Sequence, residues 1–259
     1  MRALRLIRLA RRQRRRRRIA APGRRRIVLH IGAHKTGTTY IQHTLEAGRA
    51  GLPLDFELVP RRLKELHALT AMAADAHDAP AAERMAPELR ATAARLAARF
   101  GRVGNLLISH EGLPGPLPGR QMLPGLYPFA QLLLPPMVAG LAEGGAEVSV
   151  VLYLREFRDW QASLYRYRFR DQPQRQYGPR RFAERTGLPG NWDGLLERLD
   201  AALPEGCLYV VSYEADRASG LLGRALYRHW GLDEAAIAAL PRLAPKNVSR
   251  PETRHDRHF

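Results

Sequence analysis

Residues 30–42 read HIGAHKTGTTYIQ, running from His30 to Gln42. The stretch has the glycine spacing of a phosphate loop, with Gly32 and Gly37 set as in G-x-x-x-x-G-K-[ST]. The residues after the second glycine are nevertheless Thr38 and Thr39, and the lysine sits inside the loop as Lys35. Before it, RRIVLHI (Arg25 to Ile31) is a short apolar, β-branched run that predicts a strand. After it, residues 38–48 predict a helix that begins at the two threonines. Strand, glycine-bearing turn and helix start together aim free backbone N–H groups at an anion.

Further strands are predicted at NLLISHE (Asn105 to Glu111), AEVSVVLYL (Ala146 to Leu154) and CLYVVSYE (Cys207 to Glu214). Helices are predicted over 80–100, where Pro87 should break or restart the helix, over 126–143 and from Phe157 to Arg170. Two short helices and a polar tail should follow the last strand. The segment 112–125 is too rich in glycine and proline for regular structure. This alternation predicts an α/β fold: an open, mostly parallel sheet with helices on both faces and a core like that of P-loop nucleotide hydrolases. No internal repeat or domain break is visible, so residues 25–259 read as a single domain behind a basic tail, residues 1–24.

Composition sets the outer limits. A chain of 259 residues that is 45% hydrophobic builds a globular core. Its one cysteine, Cys207, leaves no internal disulfide and suits a reducing compartment. No apolar run reaches the roughly 18 residues that span a bilayer. The net charge of +17 is concentrated at one end: residues 1–26 hold 13 arginines and no acid, and the remaining 29 basic residues face 25 acidic ones. The body is therefore mildly basic, and nucleic acid is not an expected partner. The segment MRALRLIRLARRQRRRRR reads as a self-repelling tail or as a basic amphipathic stretch lying on anionic lipid. The expected location is cytoplasmic, with peripheral membrane contact through that tail.

In a nucleotide hydrolase, the lysine after the second glycine reaches the outer phosphates and an acidic strand end helps hold magnesium. Here the strand ending at Leu154 presents Arg155 instead, which points to a nucleotide handled without a metal. His255 and His258 lack a third ligand at a workable spacing, so no metal site is expected.

Two segments carry a family resemblance. HKTGTTY (His34 to Tyr40) resembles the 5′-phosphosulfate loop of the sulfotransferases, roughly P-K-[ST]-G-T-[TS]-[WYF], with His34 in place of the usual proline. LREFRDWQAS (Leu154 to Ser163) resembles the family's second signature, an arginine at a strand end followed eight residues later by a serine. The resemblance implies 3′-phosphoadenosine 5′-phosphosulfate as sulfate donor. It implies that Lys35 holds the bridging oxygen and the sulfuryl group, and that Thr36, Gly37, Thr38 and Thr39 bind the 5′-phosphate. Arg155 and Ser163 would grip the 3′-phosphate, with Tyr40 and Tyr213 beside adenine. Lys246 and Arg250 would be further phosphate contacts from a loop over the nucleotide.

Transfer to a hydroxyl needs a base. SHEGL places His110 and Glu111 at the ligand-binding edge of the second predicted strand, with Glu111 preferred and His110 the alternative. Other histidines, such as His67, His77 and His229, have no motif around them. The acceptor, a hydroxyl or an amine, is not legible; an anionic carbohydrate or glycolipid would suit the arginine-dense helix that starts at Asp159. Two other classes compete with a transferase: a P-loop kinase or hydrolase requiring magnesium, and a non-enzymatic adaptor working through the arginine tail.

Overall fold

A strand covered on both sides must be apolar on both, and RIVLH over Arg26–His30 nearly is. This segment, β1, is the middle strand of a five-stranded sheet. The structure, a computed structural model, describes residues 24–119, 123–170 and 176–244. After β1 come α1 (Thr38–Ala47), a short 3-10 turn (Arg49–Gly51), β2 (Phe56–Leu58), α2 (Lys64–Asp75), α3 (Ala79–Arg99) and β3 (Asn105–Ser109). The chain continues through α4 (Ala130–Leu141), β4 (Glu147–Leu154), α5 (Phe157–Phe169), α6 (Pro179–Thr186) and α7 (Asp193–Ala202). It ends, as far as described, with β5 (Leu208–Ser212), α8 (Tyr213–Ala218), α9 (Arg224–Trp230) and α10 (Glu234–Ala239).

The strands lie in the order β2-β3-β1-β4-β5, and each neighbouring pair is parallel. From β1 the chain runs outward to β2, returns to β3 beside β1, then crosses to β4 on the far side. Such a reversal of order leaves a crevice at the carboxyl ends of the central strands. Side-chain alternation divides the core into two layers. Ile27, Leu29 and Ile31 face the helices α2 to α7 together with Leu106, Ile108, Val150 and Leu152. Val28, Leu107, Val151 and Tyr153 face α1, α9 and α10. His30 falls on this second face by the same alternation and is fully buried there.

The expected α/β fold stands, with an open parallel sheet and helices on both of its faces. Other expectations change. Pro87 lies inside α3 without ending it. Its ring removes one helical hydrogen bond, but Pro87 is exposed, so water can satisfy the freed carbonyl while the helix is held through its buried face. β3 stops at Ser109, which puts His110 and Glu111 beyond the strand. β5 stops at Ser212, so Tyr213 opens a helix rather than closing a strand; the Ser212 hydroxyl caps that helix by accepting from the Ala215 N–H at 3.2 Å. The terminal region holds three short helices where two were expected. The basic tail expected over residues 1–24 lies outside the described residues except for Arg24, as do Lys246 and Arg250.

α3 and α4 are packed more closely to each other than any other pair of helices, and Gly140 is where they meet. A methyl group there would collide with the Arg90 carbonyl oxygen and stand 3.0 Å from Ala93 Cβ and from the Ala94 nitrogen. Backbone atoms cannot swing away as a flexible side chain can. Gly140→Ala should therefore lower the unfolding free energy by about 1–3 kcal/mol, the usual range for overpacking. It should be read as a lower urea midpoint at unchanged slope. A midpoint equal to the parent's would mean that the two helices separate without cost.

Candidate functional site

The loop after β1 is an extension of the sheet that turns back on itself. Ile31 N–H donates to the Val151 carbonyl at 2.9 Å and Ala33 N–H to the Tyr153 carbonyl at 3.1 Å, so pairing with β4 continues past the strand end. The Thr36 N–H and hydroxyl then both donate to the Ala33 carbonyl, at 3.2 and 2.5 Å. Lys35 takes a left-handed backbone at φ 71, and Gly37 another at φ 84 as the N-cap of α1. Gly37 is needed for space as well, because a methyl there would lie 2.5 Å from Leu222 Cδ2 and 3.4 Å from Tyr213 Cε2. α1 has neither a side-chain cap nor an acid in its first turn. Its leading N–H groups and positive dipole end are therefore left for an external anion.

Atoms without hydrogen-bond partners surround this turn. Thr38 Oγ1 and Arg155 Nε are buried and lack such partners among the described residues. Thr38 stands where a nucleotide hydrolase has its lysine. Arg155, at the tip of β4, lies with its guanidinium 5.5 Å from the centre of the Tyr213 ring, and its Nε is 4.0 Å from Glu214. The backbone on either side of it is pinned: Trp192 Nε1–H donates to the Arg155 carbonyl at 2.8 Å, and Glu156 N–H to Glu214 at 2.9 Å. Glu156 caps α5 by accepting from the Arg158 and Asp159 N–H groups. Ser163 is buried about two turns into that helix. Tyr40, half-buried in the first turn of α1, stands on the side of Tyr227.

Glu111 and Lys35 approach each other from β3 and β1. Burial raises the Glu111 carboxyl above its ordinary value, against the pull of Lys35 and Arg61. Burial lowers the Lys35 ammonium; Glu111 opposes that, while Arg170, Arg155 and Arg166 reinforce it. The Lys35 Nζ rests 4.3 Å from the Tyr167 ring centre, and the Arg170 guanidinium 5.2 Å from the same ring. His110 points elsewhere. Its Nδ1 accepts from the Gly112 N–H at 3.0 Å, and it is lowered by burial and by Arg61 and His67. The structure thus brings Lys35, Gly37, Thr38, Glu111, Arg155 and Tyr213 to one edge of the sheet, with Glu111 rather than His110 beside Lys35. Among the described residues no group of three His, Cys, Asp or Glu is placed to hold a metal ion. No helix among them is long and apolar enough to cross a membrane.

No protein-family model matches the chain, and no curated protein does. Among solved structures, a sulfotransferase from Alicyclobacillus acidocaldarius is similar at 14% identity over 83% of each chain, with a TM-score of 0.42. A likeness that loose carries no weight for function.

The supports of the loop leave no mark in the sequence. Trp160 Nε1–H donates to the His34 carbonyl at 2.7 Å from within α5. Behind the loop, His30 Nδ1 lies 2.8 Å from Ser109 Oγ, and Gln42 Nε2–H donates to the Ser109 carbonyl at 2.7 Å. Burial pulls the His30 imidazole down to about 3. The folded protein therefore keeps His30 neutral while the unfolded chain takes up a proton near the ordinary histidine value of about 6.5. His30's contribution to stability is thus lost as pH falls from about 6.5 toward its folded value, at up to about 1.4 kcal/mol per pH unit. Urea unfolding at a series of pH values should show this slope, and His30→Gln should flatten it while lowering stability at neutral pH. Equal slopes in the two proteins would show that His30 titrates freely in the fold.

Proposed function

We propose that this chain is a sulfotransferase that moves a sulfuryl group from 3′-phosphoadenosine 5′-phosphosulfate to a hydroxyl or amine acceptor. The observation that carries the reading is the uncapped start of α1 behind the left-handed turn at Lys35, where the Glu111 charge acts on the lysine. In this reading the 5′-phosphate lies on the N–H groups and hydroxyls of Thr36 to Thr39, and Lys35 reaches the oxygen that bridges phosphorus and sulfur. Arg155 and Ser163 take the 3′-phosphate, and Tyr40 and Tyr213 border the adenine.

The acceptor oxygen attacks sulfur as the bond from sulfur to the bridging oxygen breaks. The electron pair of that bond stays on the departing 3′,5′-bisphosphate, where Lys35 offsets the developing charge. The acceptor proton passes to Glu111, whose raised affinity for protons suits a general base. Charge in such a transfer is spread over peripheral oxygens, so fixed donors and cations do most of the work, as argued for phosphoryl transfer. A carbohydrate or glycolipid hydroxyl is the acceptor this reading favours, given the cations of α5 beside Lys35. Cytoplasmic placement, with the arginine-rich tail against a membrane surface, belongs to the same reading.

A kinase or hydrolase would need its lysine where Thr38 is buried. Nucleotide preference separates the readings. Adenosine 3′,5′-bisphosphate should bind well ahead of AMP or ATP, and Arg155→Ala should remove most of that preference. The loss should be about ten- to a hundredfold in Kd by isothermal titration, since charge-assisted hydrogen bonds contribute roughly 1.5–3 kcal/mol. Equal affinity of the parent for the bisphosphate and AMP would defeat the reading.

The base is tested through pH. Protonated Glu111 cannot accept a proton, so turnover should fall as pH drops through its raised value. Glu111→Gln should cut labelled-sulfate transfer by about two to four decades and abolish that acidic limb, with bisphosphate affinity nearly kept. A collapse in His110→Gln with Glu111→Gln mild would transfer the role to His110.

A further inference from the structure

Two non-glycine residues among those described hold left-handed backbone: Lys35 at φ 71 and Tyr127 at φ 48. Each such residue costs on the order of 1–3 kcal/mol and persists only where its surroundings over-determine it. The two are joined through His34, which lies 93 positions from Tyr127 in sequence. The Tyr127 hydroxyl oxygen accepts the His34 N–H at 2.9 Å and stands 2.8 Å from His34 Nδ1. The two rings stack with centres 5.8 Å apart and planes 13° from parallel. Trp160 holds the His34 carbonyl from the other side. The residue before Lys35 is thus clamped at both backbone polar groups.

Tyr127 is itself fixed. It is 1% exposed. Arg198 Nη2–H donates to the Leu126 carbonyl at 2.9 Å, and the Ala130 N–H donates to the Tyr127 carbonyl at 3.2 Å. It directly follows the glycine- and proline-rich segment that begins just after Glu111, and the Glu111 charge bears on its hydroxyl. Its hydroxyl is therefore bonded to the loop that carries Lys35 and lies within the field of Glu111.

We propose that Tyr127 is a positioning residue. Its hydroxyl latches the phosphate loop in the left-handed turn that presents Lys35 to Glu111, and so sets the spacing between the two strand tips. The role in turnover rests on the sulfotransferase reading; the latch does not. Tyr127→Phe removes the hydroxyl and leaves the ring.

Amide exchange in the unliganded protein is the first measurement. It should become at least about tenfold faster at His34, Lys35 and Thr36 in the variant, since the loop then opens locally. Turnover per folded molecule should fall about ten- to a hundredfold, the scale of a small misplacement of reacting groups. The Kd for adenosine 3′,5′-bisphosphate should stay within about threefold, because the N-terminus of α1 is untouched. Unchanged exchange at those amides overturns the latch, and faster exchange with parental turnover overturns the positioning role. If the parent protein neither binds the bisphosphate nor transfers sulfate, the sulfotransferase reading fails, and exchange alone decides on the latch. Should Tyr127→Phe not fold, His34→Ala at its half-buried site removes the stacked ring and the Nδ1 contact. It should speed exchange at Lys35 and Thr36 and lower turnover about tenfold, and parental values for both would equally overturn the proposal.

Discussion

The first turn of α1 is left with backbone N–H groups that no side chain satisfies, and the surrounding structure is arranged to keep them so. A serine or aspartate at Gly37 would cap the helix in an ordinary protein. Here the position is held in the left-handed region against Leu222 and Tyr213, which strains any residue but glycine. Its neighbours hold the turn in place. β1 enters the turn fully paired with β4, and Trp160 and Tyr127 clamp the peptide groups of His34. In the proposed reading, the turn from strand to helix is a preformed anion cradle, one that an incoming phosphate need not reorganise.

Around the cradle, burial and charge act in opposite senses on the two central groups. Glu111 is pushed toward holding its proton and Lys35 toward losing one, while each resists the change in the other. Arg61, Arg155, Arg166 and Arg170 keep the balance positive. In the proposed reading, a polyanionic donor would meet these cations, and the Glu111 carboxylate is held where its basicity is enhanced. His110 is adjacent in sequence but is turned to the Gly112 amide, so the two residues face different partners.

Much of the fold was legible because the strands that build its centre are apolar and bounded by turn residues. β1, β3, β4 and β5 all fall within their expected runs. β2 did not register, since Phe56–Leu58 is only three residues long and borders one strand. α6 and α7 follow a polar, arginine-rich stretch whose periodicity is weak. The loop and Arg155 were legible from spacing alone. Tyr127 and Trp160 were not, because each acts through a partner distant in sequence and nothing local marks them. Tyr213 was expected on a strand as part of CLYVVSYE, but the strand ends at Ser212, which caps the helix that Tyr213 opens.

The order of the strands has a consequence for how the chain becomes functional. β1 is the earliest described strand, yet its two neighbours are β3 and β4, which come roughly 80 and 120 residues later. Until β4 exists, Ile31 and Ala33 have no carbonyls to pair with, and Trp160 has not been made. During synthesis the glycine-bearing loop thus emerges long before anything can shape it. The site is a late product of assembly, completed only when distant segments close around the strand that started it. Chain closure of that span is slow compared with local helix formation. A nucleotide able to recognise the finished cradle would therefore select the completed sheet over its earlier, partly built states.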